Sequence, residues 1–139
     1  MESDMDPEDR IRELIDELNG YNEGTHLGTL RSLRLLLEGQ KTRLSPVLQR
    51  RLTSVLRTTI APFHRFVKLS VEAVYCLGTN VMWDRSQEVW LKNLLHDNTD
   101  TQKWSPVAEA IGKVFDAQAE RRKNVCKIFA EVKNRFAAQ

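Results

Sequence analysis

Arginine supplies the most conspicuous chemistry in this sequence. Arg43, Arg50 and Arg57 recur at intervals of seven, so on a helix they fall along one side, with Arg51 beside them. Arg31, Arg34 and Arg65 flank this series, together with Lys41 and Lys68. A guanidinium is planar, permanently charged and shaped to fork onto phosphate oxygens. These residues are therefore the anion-binding candidates, suited to an RNA or DNA backbone or to anionic lipid headgroups. Few aromatic residues lie between the arginines, so stacking on bases is not indicated. The competing reading is that the chain neutralises them itself.

The charge distribution keeps both readings open. Residues 1–24 hold nine acids against two bases, and residues 25–77 hold nine bases against two acids. The formal net charge of +2 conceals this separation. Asymmetry of this kind signals an electrostatic contact, either inside one molecule or between molecules.

Catalytic and metal-binding chemistry finds little footing. His26, His64 and His96 are far apart in sequence, and none has a second ligand three or four positions away. Residues 97–102 are polar enough for a calcium loop but lack its glycine at position six, and Ala108 stands where the closing glutamate belongs. The glycine pair Gly24 and Gly28 has no strand before it and no Lys-Ser/Thr after it, so it is not a phosphate-binding loop. The chain is expected to be non-enzymatic and to need no cofactor or metal.

The elements that must carry these residues are helices. Asp6-Pro7 opens the first, with Ile11, Leu14, Ile15 and Leu18 as its apolar stripe and Gly20 as its stop. The second runs from Thr25 to Gly39 with leucines at helical spacing. The third starts at Ser45-Pro46 and is interrupted by Pro62. The fourth, from about Pro62 to Leu77, is apolar almost all round and so belongs in the middle of a bundle. Asp84 and Gln87 are spaced as a capping box for the fifth helix, which ends near His96. Ser105-Pro106 opens a last helix that continues to Phe136.

The expected fold is all-α, a single-domain bundle of about six helices spanning residues 1–139. A short HEAT-like helical array is the rival topology. Residues 1–5 are expected to be disordered, and the last helix is expected to project from about residue 118, because residues 118–124 carry a single small apolar side chain. No motif of a known helical family can be laid on these residues.

Two further surfaces are candidate protein interfaces. Trp83 and Trp90 share a helical side if the fifth helix starts early, and tryptophan is a favoured interface anchor as well as a core filler. Phe129, Val132 and Phe136 lie on the projecting end, among Lys127, Lys133 and Arg135, and form an amphipathic surface suited to docking on another subunit.

No apolar run approaches the ~18 residues of a membrane span, and the acidic first residues are the opposite of a secretion signal. Cys76 and Cys126 fall at apolar helical positions and are expected to be buried, reduced thiols of a cytoplasmic or nuclear protein. The sequence thus leads to a helical interaction module that binds a protein partner or itself as a homo-oligomer. The alternative is a nucleic-acid or anionic-membrane binding protein of the viral matrix- or nucleoprotein-associated type, working through its basic face.

Overall fold

The computed structural model describes residues 6–20, 23–60, 67–97 and 105–137. Within them are α1 (Pro7–Leu18), α2 (His26–Gly39), α3 (Pro46–Thr59), α4 (Val67–Leu77), α5 (Arg85–Asp97) and α6 (Ser105–Ala137), and a 3-10 turn at Glu23–Thr25. No strand occurs among the described residues. The expected all-α bundle is what forms. The expected disordered stretch 1–5, the start of the fourth helix at Pro62, and Arg65 lie outside the described residues.

Local signals act as their chemistry requires. The Asp6 carboxylate accepts the Glu8 backbone N–H at 3.0 Å, Pro7 occupies the first turn, and Glu8 and Asp9 face the positive end of the helix dipole. Only half of the capping box on α5 closes. Asp84 accepts the Gln87 backbone N–H at 3.0 Å, but the Gln87 side chain turns away and donates to Thr53 Oγ1 on α3 at 3.0 Å. A residue spaced for a local cap is spent on a tertiary contact instead.

The core is built from leucines at helical spacing. Ile11, Leu14 and Ile15 meet Leu30, Leu33 and Leu37 of α2 and Leu48, Leu52 and Leu56 of α3, all fully or almost fully buried. α4 lies in the middle, packed against α2, α3 and α6. Its Leu69, Ala73, Val74, Cys76 and Leu77 are buried. Cys76 donates its thiol to the Leu30 carbonyl at 3.6 Å, and burial, aided by the nearby Glu72 carboxylate, pushes its pKa far above the ordinary thiol range.

α6 docks on α4 at close range. A Cβ built on Gly78 would stand 2.6 and 2.7 Å from the two methyl carbons of Val114, so only glycine admits this approach. Next to it the buried Gln118 donates to the Gly78 carbonyl at 2.9 Å, satisfying a backbone acceptor just past the end of α4. Beyond Gln118, every residue of α6 whose burial is described, from Ala119 to Ala137, is exposed. Cys126 lies in that stretch and is exposed, contrary to the expectation of two buried thiols. It lies beside the apolar stripe of α6 rather than within it, and past the point where the bundle ends.

Two outcomes follow. In native protein Cys126 should react with a thiol reagent within minutes, whereas Cys76 should react only on unfolding; equal rates would contradict this packing. Gly78→Ala should destabilise the fold by about 1–3 kcal/mol through overpacking. In a double-mutant cycle with Val114→Ala, chemical denaturation should give a combined loss smaller than the sum of the two.

Candidate functional site

The arginines do not form one bare face. Arg34 Nη1 lies 3.1 Å from Glu72 Oε1 and Arg31 Nε lies 3.9 Å from Glu72 Oε2, so two cations of α2 converge on one carboxylate of α4. Glu72 is largely buried, with 13% of its side chain exposed, and a carboxylate so placed needs this compensation. The Arg34 guanidinium also stands 5.1 Å above the Tyr75 ring.

Arg57 is a staple between α3 and α5. Its Nη2 donates to Ser86 Oγ and to Gln87 Oε1, each at 3.0 Å, and to the Ser86 carbonyl at 3.3 Å. The same group lies 5.0 Å over the ring of Trp90. Burial draws its pKa below the ordinary value, with the nearby Asp84 opposing. Arg43 donates to the Trp83 carbonyl at 3.0 Å. Arg51 pairs with Asp16 of the acidic first helix at 3.3 Å, but both side chains are open to solvent and the bridge contributes little.

Arg50 alone of the α3 arginines has neither a hydrogen bond nor an ion pair from its side chain among the described residues. It lines a cleft with Thr53, Ser54, Arg57 and Thr58, and Asp84 stands in that cleft too. The carboxylate weakens the cleft as an anion site. The acids of α1 are similarly occupied: Glu8 accepts the Ser45 backbone N–H at 3.0 Å, and Glu17 accepts the Thr29 hydroxyl at 3.1 Å.

Trp83 and Trp90 also face inward. Trp83 is a core residue, 8% exposed, in edge-to-face contact with Phe115 at 5.5 Å. Trp90 is half-buried beneath Arg57. Neither stands out as a surface anchor.

The end of α6 does. Phe129 is 72% exposed and Val132 43%, and Val125 and Ile128 of the same stripe are 58% and 61% exposed. Phe136 lies within α6, but its side chain is outside the description. Sequence reasoning singled out Phe129 and Val132 and missed Val125 and Ile128, although helical spacing places all four together. At the foot of this segment Trp83, Gln118, Arg121, Arg122 and Val125 line a shallow cleft, and Arg122 reaches Glu88 of α5 at 3.7 Å. The chain matches no described protein family, no curated protein and no solved structure. Among the described residues, no group of three or more His, Cys, Asp or Glu is placed to hold a metal ion, and no helix is long and apolar enough to cross a membrane.

The Arg57 staple makes a testable distinction between arginines. Arg57→Lys keeps the charge but loses the fork and the stacking on Trp90, and should destabilise the fold by about 1–2 kcal/mol. Arg50→Glu reverses a charge and should cost less than about 0.5 kcal/mol. Urea denaturation followed by tryptophan fluorescence ranks the two; equal effects would refute the staple.

Proposed function

We propose that this protein is a non-enzymatic helical interaction and self-assembly module that engages a protein partner, or itself, through the exposed end of α6. The observation that carries the reading is the exposure of Val125, Ile128, Phe129 and Val132 on a helix that has left its own bundle. Single exposed apolar residues need no explanation, but a contiguous stripe on one helical side is the form of a helix-docking surface. A solvated helix of this length is marginal by itself, so covering the stripe would stabilise the element as well as the complex. Covering these four side chains contributes roughly 4–7 kcal/mol. Set against the cost of association, that suits a weak, reversible contact rather than a permanent complex. The reducing cytoplasm or nucleus is the compartment consistent with unpaired Cys76 and Cys126.

The runner-up, binding of nucleic acid or an anionic membrane, draws support from Arg50 and from the tail, where residues 119–137 carry six bases against two acids. It is the weaker reading because Arg31, Arg34 and Arg51 pair with carboxylates of the same chain, while Arg43 and Arg57 are oriented by neutral groups within it.

Chemical cross-linking in cells separates the two. The double variant Val125→Asp/Phe129→Asp should keep the wild-type circular dichroism and melting temperature yet lose the cross-linked protein complexes, while Arg50→Glu keeps them. Titration of purified protein with a labelled RNA 20-mer and with phosphatidylserine vesicles should show no salt-dependent binding. Retention of every complex by the double variant, or a steep salt slope abolished by Arg50→Glu, overturns the proposal.

A further inference from the structure

The exposed stripe repeats the buried one. On α6 the residues that face the bundle are Val107, Ala110, Ile111, Val114 and Gln118. Adding eighteen to each gives Val125, Ile128, Phe129, Val132 and Phe136. Eighteen residues are five whole turns at 3.6 per turn, so the second set lies on the same side of the helix, ~27 Å further along. The face that docks on α4 therefore continues past the end of the bundle without rotating.

This geometry bears on what can cover the stripe. The bundle stands on the same side of α6 as the exposed apolar residues, so the two form a corner with the Trp83–Val125 cleft at its angle. A flat lipid surface laid along the stripe would collide with the end of the bundle. A helix, by contrast, fits the corner as α4 fits the first half of α6.

We infer that the helix in the corner is the same segment of a second copy, running antiparallel, so that the protein is a reversible two-fold dimer joined at its α6 ends. This rests on the proposed docking role of that segment and names its partner. The stripe is complementary to itself. With Phe129 set against Val132 of the second copy, the two-fold repeats that contact, so a large residue meets a small one in both central layers. Like charges also stay apart in this register. The flanking positions place Lys133 beside Cys126 of the second copy and Arg135 beside Ile128, so each cation meets a neutral residue. The outer face keeps Lys127 and Glu131 in solvent. The contact is only a few turns long and belongs with small, transient interfaces.

Sedimentation equilibrium between about 1 and 500 µM, with circular dichroism as a check on folding, tests the pairing. Wild type should pass from monomer to dimer across that range, and Phe129→Asp and Val132→Asp should each remain monomeric with unchanged helicity. Orientation is read by adding Lys133→Cys to wild type and oxidising a mixture of 14N- and 15N-labelled protein. Peptide mapping should find a mixed-isotope disulfide joining Cys126 of one copy to the thiol introduced at position 133 of the other. A wild type monomeric at 500 µM, a dimer indifferent to Phe129→Asp, or cross-links only between the two copies of Cys126 would overturn the antiparallel dimer. The broader docking role fails separately, if Val125→Asp/Phe129→Asp retains its cellular complexes.

Discussion

The contact of α6 with the end of α4 governs much of the remaining structure. Gly78 leaves room for the Val114 side chain, and Gln118 binds the Gly78 carbonyl, so α6 is held closely at the last point where the bundle can hold it. This junction determines which side of α6 is buried. It also determines where burial stops, because α6 has 33 residues and the bundle covers only its first half. The apolar residues beyond Gln118 owe their exposure to that limit, not to their own composition.

Electrostatics are arranged with the same economy. The positive segment 25–77 looks like a binding field when its charges are counted, yet its arginines are distributed to separate tasks. Arg31 and Arg34 compensate the largely buried Glu72, Arg57 joins α3 to α5, and Arg43 ties the stretch before α3 to the backbone of Trp83. A guanidinium suits such work because several donors on one rigid plane can satisfy separate acceptors while the aliphatic stem packs. The acidic first helix meets the arginine segment through the exposed Arg51–Asp16 pair, while Glu8 and Glu17 bind a backbone N–H and a hydroxyl. Charge separation along the sequence is thus only partly an attraction between α1 and α3.

What was legible in the sequence was what local chemistry dictates. Proline at helix starts, glycine at stops and leucines at 3.6-residue spacing led to the right elements, and the central place of α4 followed from its nearly uniform apolar surface. What was illegible depended on distance in three dimensions. Glu72 carries no local mark of being the partner of two arginines, since it lies about forty residues from them in sequence. Gln87 has the spacing of a cap, and only the proximity of Thr53 and Arg57 diverts it. Val125 and Ile128 have core spacing on a helix whose core has run out. Periodicity reports which side of a helix is apolar; it does not report whether anything faces that side.

The period of the α6 stripe constrains any assembly built on it. A sustained coiled coil requires a repeat of seven, which underwinds the helix to 3.5 residues per turn and wraps the partners around each other. Single members of the α6 stripe, such as Ile111, Gln118, Val125 and Val132, are seven apart, but the stripe as a whole returns after eighteen residues, the period of a straight helix at 3.6. A straight stripe drifts by about 20° per heptad against a coiled-coil seam, so two such helices stay in register for only a few turns before their apolar faces diverge. The exposed segment is about that long. Lengthening α6 would therefore add little to a pair of straight helices, whereas packing the end of one helix into the corner beside the other bundle would add surface at once. In the proposed dimer, the corner at Trp83 and Val125 would then add to the central contact of Phe129 with Val132, so residues at the junction between bundle and tail matter as well as those along the stripe.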